Sequence, residues 1–436
     1  MSGFKSSGVN ILDAFMGTGK STAIQKYFDE NRDKKFVFVY PYTIKSGTFL
    51  HSQYTEKLGF SIADEDAKGK MDFFLRQLEA GKSVVITHAL NQHQTPESKK
   101  LMIDGGYHLV IDEVPEVFQT VFPEFISNKN IFPQNLNRLH RLFGPNDTIG
   151  ETRRQLIGHA GFDPKFNMIF NQDYHLFESQ FQRLNAMAHL GGLHLIRNKL
   201  VMMPDVSFWK EMESVTILTH RFEASLFRRI LDKLEIDYEY IDPLSLGLDS
   251  KKAKEDMKRL IEIVANTRDL DKTLENSNRM MPFSKNWIIE TEASTISSVK
   301  KSLETMLRSA KEDIREASGL FWTTQMSCAE KMSGKGFSHK ESMNTFVAFN
   351  KIGSNDYRDR GICMYLHNVY LDPVRLQAVS EGLDVGDTFD QDGYALNTLL
   401  QFIYRGRVRE GKRMKLIIPA PRMRKLYDDF MHSDEA

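Results

Sequence analysis

Short apolar runs alternate with amphipathic helical patterns along the first part of the chain. Four of these runs, at residues 9–12, 35–42, 83–90 and 107–114, are apolar enough to form buried strands. Between the second and third runs, apolar residues at 68–79 recur with helical spacing. Because strands that alternate with helices favour a parallel sheet, this part of the chain predicts an α/β domain.

The same alternation returns in the last third of the chain. Strands are predicted at 287–291, 318–324, 345–350 and 362–366, and a helix is predicted at 297–311. This second series contains no second phosphate-binding loop. It therefore predicts another α/β domain, one that does not bind a nucleotide by itself.

The alternation is lost between residues 122 and 205, which predicts an accessory insertion. Within it, residues 193–203 have the pattern of a hairpin that turns at Arg197 and Asn198. The basic and aromatic residues of the insertion favour either a contact with nucleic acid or a solvated accessory subdomain. The sequence leaves both interpretations open.

Two further segments define the expected domain boundaries. A strand at 214–220 and the helix after it restore the alternating pattern and are predicted to close the first sheet. Residues 241–284 are rich in charge and predict a surface helix and a linker. We therefore expect a first domain at 1–240 and a second domain at 285–436.

The composition limits the class of protein. A chain of 436 residues with 41% hydrophobic and 11% aromatic residues is expected to form two or three well-packed domains. The 58 basic and 58 acidic residues give a formal net charge of zero, so any binding of nucleic acid would be local. Two cysteines, Cys328 and Cys363, and the absence of a long apolar segment favour a cytoplasmic protein that does not span a membrane.

The first candidate for chemistry is the sequence DAFMGTGKST at residues 13–22, between a predicted strand and a predicted helix. Glycines let backbone N–H groups surround a phosphate, a lysine adds positive charge, and a serine hydroxyl can complete the ligands of Mg²⁺. An ordinary glycine-rich turn is the simpler alternative, but the flanking strand and helix disfavour it. The predicted nucleoside triphosphate site comprises Gly17, Thr18, Gly19, Lys20, Ser21 and Thr22, with Ser21 as a ligand of Mg²⁺.

The second candidate is a pair of acids at the end of the predicted strand 107–114. Asp112 and Glu113 directly follow the apolar residues Leu109, Val110 and Ile111. Acids at a strand end are commonly just solvated, but an upstream phosphate-binding loop favours a catalytic role. Asp112 is then predicted to hold Mg²⁺, and Glu113 to orient and deprotonate the attacking water.

The third candidate lies near the C-terminus, where Gln401, Arg405 and Arg409 recur every four residues. On a helix, these three side chains would share one face. Two guanidinium groups and an amide suit a polyphosphate, and the arginines could stabilise charge on the γ-phosphate. A solvated basic helix is the alternative, and the phosphate-binding loop favours the catalytic interpretation.

The three sequences A-x-x-G-x-G-K-S-T, I-D-E-V and Q-x-x-x-R-G-R-x-R, in this order, resemble motifs I, II and VI of superfamily 2 helicases. The resemblance spans most of the chain, except the insertion, and is to the compact helicases that bacteriophages encode. It implies two RecA-like parallel-sheet P-loop domains in tandem, with the insertion in or after the first.

The same resemblance implies function, cofactors and partners. The cofactors are ATP and Mg²⁺, and the activity is that of an ATP-dependent helicase or translocase in phage replication, recombination or repair. Nucleic acid is the implied partner, with DNA favoured over RNA, and replication or recombination proteins are further candidates. The implied location is the host cytoplasm.

Residue roles also follow from the resemblance. Asp112 and Glu113 match the Walker B pair of motif II, and Gln401 and Arg405 match motif VI. The chain departs from the usual spacing of motif VI by one residue, so that the second arginine finger is either Arg407 or Arg409. Weaker matches place Thr219 in motif III and residues 353–356 in motif V.

Two other functions remain open from the sequence. A packaging motor or another non-helicase P-loop ATPase would contain the first two motifs, but it would not need an arginine-rich face in a second α/β domain. An ATP-regulated nucleic-acid-binding protein would contain both domains without turnover, although the chain keeps Lys20, Glu113 and Arg405.

Overall fold

The fold is described from a computed structural model of the chain, which divides into two compact units. The first unit comprises Met1–Asp13, Lys20–Leu246 and Asp372–Phe389, and the second comprises Ala14–Gly19, Gly247–Leu371 and Asp390–Ala436. The structure describes residues 4–5, 7–41, 44–45, 48–62, 69–115, 119–121, 193–196, 199–202, 206–276, 281–313, 319–340, 345–349, 356–371, 376 and 389–435.

Within these ranges, the first unit is built on a parallel sheet of seven strands. Its strands are β1 (Gly8–Asp13), β2 (Lys35–Tyr40), β3 (Ser61–Ile62), β4 (Val84–Thr87), β5 (Tyr107–Asp112), β9 (Ser214–Thr219) and β10 (Tyr238–Tyr240). Their spatial order is β10-β1-β9-β5-β2-β4-β3.

The strand after the insertion belongs to the first sheet, as predicted, but it lies in the middle of the sheet and not at its edge. Strand β9 pairs with β1 on one side and with β5 on the other. All six residues of β9 are buried, as are all six of β5, which is expected for central strands covered on both faces. An apolar run shows that a strand is buried, but it does not show which strands flank it.

Helix α1 (Lys20–Glu30) and two other helices of the first unit, at Lys70–Glu79 and Leu226–Lys233, each bury an apolar stripe. Helix α1, for example, buries Ile24, Tyr27 and Phe28, which are the apolar positions that predicted it. The helices are α1 (Lys20–Glu30), α2 (Phe49–Ser52), α3 (Lys70–Glu79), α4 (His88–Asn91), α5 (Pro96–Asp104) and α6 (Leu226–Lys233). Shorter turns are a π-helical turn at Gln53–Lys57 and 3₁₀ turns at Ser207–Glu211, Phe222–Ala224 and Pro243–Leu246.

The hairpin predicted at 193–203 is confirmed. Strands β7 (Leu193–Ile196) and β8 (Lys199–Met202) pair antiparallel, and β6 (Gln119–Val121) pairs antiparallel with β8. The rest of the predicted insertion, at 122–192, 197–198 and 203–205, lies outside the described residues, and this includes the predicted turn at Arg197 and Asn198.

The second unit contains a second parallel sheet, in the order β11-β14-β13-β12. These strands are β11 (Ile261–Ile263), β12 (Leu320–Thr323), β13 (Ile362–Tyr365) and β14 (Met414–Ile417). The helices are α7 (Ser250–Leu260), α8 (Arg268–Glu275), α9 (Lys285–Glu290), α10 (Ala293–Asp313), α11 (Ala329–Met332), α12 (Gln391–Ile403) and α13 (Pro421–His432), and 3₁₀ turns lie at Met326–Cys328 and Arg407–Glu410. The predicted α/β class with two parallel sheets is therefore confirmed.

Three predictions for this unit differ from the structure. The predicted strand at 287–291 belongs to helix α9, whose start is capped by the Ser284 hydroxyl accepting the Trp287 N–H. Of the predicted strand at 345–350, residues 345–349 are described, and within them a single isolated bridge joins Phe346 to Trp322. In the predicted linker, at 241–284, strand β11 pairs with β14. The residues of β11 are therefore part of the second sheet. Short apolar runs do not distinguish strand from helix, because each gives the same sequence pattern.

Among the described residues, no helix is both long enough and apolar enough to cross a lipid bilayer.

Candidate nucleotide-binding site

Three neighbouring strands of the first sheet end at the same edge. In the register of the sheet, Asp13 at the end of β1 pairs with Thr219 at the end of β9. Asp112 at the end of β5 pairs with Leu218 of β9. The carboxyl edge of a parallel sheet is where open α/β folds bind ligands. The sequence motifs at Asp13 and Asp112 thus lie at the same edge, with β9 between their strands.

The predicted phosphate-binding loop occupies residues 14–19, between β1 and α1. Gly17 and Gly19 have φ angles of +79° and +98°, which only glycine adopts readily. The Thr18 hydroxyl donates to the Phe15 carbonyl at 2.9 Å and closes the turn. Helix α1 starts at once with Lys20, and the N-terminus of a helix favours a negatively charged ligand. Ser21 and Thr22 are exposed in its first turn.

Lys20 carries the positive charge that interacts with the acids at this sheet edge. Desolvation by burial lowers the pKa of Lys20 from 10.5 to about 8, while the charges of Asp112, Asp13 and Glu113 oppose that shift. The ammonium group is therefore poorly hydrated and depends on nearby negative charge. A polyphosphate would supply such charge, so the electrostatics of Lys20 fit the predicted ligand.

The two predicted Walker B acids differ in their surroundings. Asp112 is buried, with 9% of its surface exposed, while Glu113 is half-buried. The backbone of Glu113 has a φ of +72°, which is uncommon for a residue with a side chain. Its N–H donates to the carbonyl of Leu218 in β9 at 2.9 Å. Uncommon backbone angles of this kind concentrate at functional sites.

Sequence reasoning missed the role of Asp13. Its two carboxylate oxygens accept the backbone N–H groups of Arg221 and Phe222, each at 2.8 Å. Burial raises the pKa of Asp13, although both hydrogen bonds and the charge of Lys20 lower it. Asp13 therefore ties the residue before the phosphate-binding loop to the turn after β9. An acid as the last residue of the strand was the only sequence signal for this contact.

In the second unit, the prediction that Gln401, Arg405 and Arg409 share one helix face is wrong. Helix α12 ends at Ile403, and Arg409 lies in the 3₁₀ turn that follows. Gly406 lies beyond the end of the helix, where a Cβ atom would overlap the Met414 sulfur and the Phe321 ring. The spacing of four residues loses its meaning once the helix has ended.

Arg405 is a buried residue, whereas Gln401 and Arg409 are exposed. The guanidinium group of Arg405 donates to the carbonyls of Ala348 and Phe349, at 3.3 and 3.2 Å, and lies over the Phe402 ring. These contacts hold Arg405 within the core of its unit. Its role as an arginine finger stays a prediction, as does that of Arg409.

The residues predicted for motifs III and V lie in different parts of the chain. Thr219 is buried at the end of β9, next to the turn that Asp13 holds. Of the predicted motif V residues, only Asp356 is described, and residues 353–355 lie outside the described part of the chain.

A comparison with protein-family models agrees with the fold of the second unit. A family model described as "YonV C-terminal Rossmann-like domain" matches residues 255–431, which include the second parallel sheet. The chain is also similar to the "SPbeta prophage-derived uncharacterized protein YonV" of Bacillus subtilis (strain 168). The two are 26% identical over 449 residues, covering 98% of this chain and 99% of that protein. A Rossmann-like C-terminal part fits the parallel sheet of the second unit.

Two solved structures align with most of the chain. The structure described as "XPD_APO" has a TM-score of 0.46 at 12% identity, covering 97% of this chain and 96% of that one. The "Structure of S. tokodaii Xpd4" has a TM-score of 0.48 at 12% identity, covering 98% and 95%.

Proposed function

We propose that this chain is an ATP-dependent helicase or translocase that acts on nucleic acid, with DNA as the favoured track. One observation carries the proposal. The desolvated Lys20, directly after a glycine-rich loop, interacts with the charges of Asp112 and Glu113 from a nearby strand end. This is the arrangement of charges that hydrolysis of a nucleoside triphosphate requires.

The residues around the start of α1 and the end of β5 fit ATP and Mg²⁺. The start of α1 and the ammonium group of Lys20 suit the phosphate oxygens. The Ser21 hydroxyl and the Asp112 carboxylate are oxygen ligands of the kind that Mg²⁺ prefers, and they would hold the ion. When bound, Mg²⁺ neutralises negative charge on the β- and γ-phosphates. We therefore assign Gly17, Thr18, Gly19, Lys20, Ser21 and Thr22 to the binding of ATP.

In the proposed hydrolysis, Glu113 acts as the general base. Its carboxylate orients a water molecule and takes one proton from it, as the water oxygen attacks the γ-phosphorus. The bond from the γ-phosphorus to the β–γ bridging oxygen breaks, so that ADP leaves and inorganic phosphate is formed. Lys20 remains protonated and stabilises the negative charge of the phosphates. Asp13 holds the turn after β9 and keeps a further negative charge near Lys20.

The motor activity is the broader part of the proposal. It rests on the resemblance of Gln401, Arg405 and Arg409 to motif VI of superfamily 2 helicases. In this proposal, the first domain hydrolyses ATP, and the second domain carries the motif VI residues. The prophage origin in the name of the similar Bacillus protein supports a role in phage replication, recombination or repair.

The test is steady-state ATP hydrolysis by the purified chain, with and without single-stranded DNA, duplex DNA, branched DNA or RNA. One low salt concentration is used throughout, because contacts to nucleic-acid phosphates weaken steeply with salt. We expect strong stimulation by one of these polymers, and that polymer is the track. Hydrolysis that is indifferent to all of them would support a non-helicase P-loop ATPase, and binding of DNA without any hydrolysis would support an ATP-regulated nucleic-acid-binding protein.

A further inference from the structure

The peptide group between Asp112 and Glu113 is held at both ends. Its carbonyl, that of Asp112, lies 2.7 Å from Nε2 of His88. Its N–H, that of Glu113, donates to the Leu218 carbonyl at 2.9 Å. Because a carbonyl oxygen can only accept, Nε2 of His88 must carry the hydrogen. Two hydrogen bonds from two different strand ends therefore fix the plane of this peptide.

The orientation of this peptide sets the conformation of Glu113. The φ of +72° at Glu113 is uncommon because the Cβ atom crowds the backbone in the left-handed region. A single hydrogen bond would leave the peptide able to rotate toward a more favourable angle. With both its carbonyl and its N–H engaged, the peptide cannot rotate without losing a bond. The direction of the Cα–Cβ bond of Glu113 is thus fixed.

The surrounding structure holds His88 in place. Strand β4 ends at Thr87, whose hydroxyl accepts the Leu90 N–H at 3.2 Å and caps helix α4. His88 is therefore the first residue of a capped helix, at the same sheet edge as Asp112.

We infer that His88 is a positioning residue, which aims the Glu113 carboxylate by holding the carbonyl of Asp112. His88 belongs to none of the three motifs that predicted the site. The inference rests on the proposed function, because Glu113 matters as a base only if the chain hydrolyses ATP. It adds a residue that acts through the backbone and does not itself contact the ligand.

The test compares kcat and KM for ATP in wild-type protein, His88→Ala and His88→Gln. Loss of the hydrogen bond in His88→Ala should lower kcat by about 10- to 100-fold, because small displacements of a catalytic group cost this much. KM should change by less than about twofold, since the groups that bind phosphate are unaltered. The side-chain amide of glutamine can donate from nearly the position of Nε2, so His88→Gln should recover most of kcat.

His432 provides a matched control. Its ring also contacts a backbone carbonyl, with Nδ1 2.7 Å from that of Asp428, but it is exposed in helix α13. His432→Ala should therefore leave kcat unchanged. A second control combines His88→Ala with Glu113→Gln. If His88 acts through Glu113, the double variant should be no slower than Glu113→Gln alone.

The outcomes separate the two proposals. Absence of ATP hydrolysis by the wild-type protein overturns the proposed function, and with it the role of His88. Wild-type hydrolysis together with an unchanged kcat in His88→Ala overturns only the role of His88. The role of His88 is also overturned if only KM changes, or if His88→Gln is folded but is as slow as His88→Ala. Thermal unfolding of each variant shows whether it is folded. If His88→Ala does not fold, the kcat of His88→Gln is compared with that of the wild-type protein instead.

Discussion

The two units differ in how well local sequence patterns placed their candidate residues. In the first unit, Asp13 and Asp112 end strands that both flank β9, and the charges of these acids reach Lys20. In the second unit, Arg405 is buried against backbone carbonyls, while Arg409 is exposed beyond the end of the helix. The predicted residues of the first unit come together, and those of the second do not share the predicted face.

The difference has a physical cause. A residue at the end of a buried parallel strand must lie at the carboxyl edge of its sheet, whatever the neighbouring strands are. A spacing of four residues places side chains on one face only while the helix continues. In the second unit, helix α12 ends at Ile403, so the regular spacing is lost before Arg405 and Arg409. The end of a predicted buried strand is therefore a safer basis for predicting a site from sequence than helical spacing is.

The sharpest test of the first unit is Glu113→Gln. Glutamine keeps the shape of the side chain but cannot take a proton, so the rate of ATP hydrolysis should fall by about 10²- to 10⁴-fold while ATP still binds. Rates are measured by phosphate release and binding by equilibrium dialysis. Glu235→Gln is the matched control, because Glu235 is exposed and also has a positive φ, of +51°. A Glu113→Gln protein as active as Glu235→Gln would show that Glu113 is not the base.

Arg405→Ala tests the second unit. If Arg405 is a buried structural residue, the variant should lose folding stability, whereas if it is an arginine finger, the variant should lose ATP hydrolysis. Removal of the guanidinium group leaves the carbonyls of Ala348 and Phe349 without these donors, which should lower the free energy of unfolding by about 2 to 3 kcal/mol. The exposed Arg409→Ala should change it by less than about 0.5 kcal/mol. Urea denaturation measures both. Unchanged stability with abolished hydrolysis would instead make Arg405 a finger, and the contrast between the units would disappear.

The pH dependence of ATP binding tests the charge of Lys20. The pKa of this residue is about 8, so its ammonium group loses a proton as the pH rises through that value. Because the phosphates need the protonated form, the apparent Kd for ATP should be constant below about pH 8 and weaken by up to about tenfold per pH unit above it. Calorimetry across this range measures Kd. Lys20→Arg keeps its charge and should show no such change, and a wild-type Kd independent of pH would contradict the assignment.

Asp13→Asn should have the smallest effect. Its amide group can accept only one of the two N–H groups of Arg221 and Phe222, so stability at neutral pH should fall by about 1 kcal/mol. Because burial raises the pKa of Asp13, the folded state takes up its proton more readily than the unfolded chain. The cost of the buried charge is present above the raised pKa and is lost as the pH falls through it. The wild-type protein should therefore gain stability relative to Asp13→Asn on acidification.

The control for Asp13 is Asp242→Asn. Asp242 also accepts a backbone N–H, that of Leu244, but in an exposed turn. Its substitution should lower the free energy of unfolding by less, because water can replace the lost hydrogen bond in an exposed turn. Equal behaviour of the two variants in thermal unfolding at several pH values would show that the burial of Asp13 has no energetic consequence.

The sequence by itself determined the elements whose cause is local. Glycines at 17 and 19 specify left-handed turns, and apolar runs that end in Asp13 and Asp112 specify buried strands with acids at one edge. The α/β class and the hairpin β7–β8 followed from the same local patterns. The ambiguous run at 287–291, by contrast, was resolved only by a serine cap and by packing in the second unit.

Only the tertiary structure decided which distant groups meet. Strand β9 enters between β1 and β5, and this brings the N–H groups of Arg221 and Phe222 to Asp13, about 200 residues earlier in the chain. The same pairing brings Leu218 to Glu113, while β4 brings His88 to the other side of that peptide. Strand order depends on how whole faces of the sheet are buried, and hydrophobic periodicity along one segment does not record it.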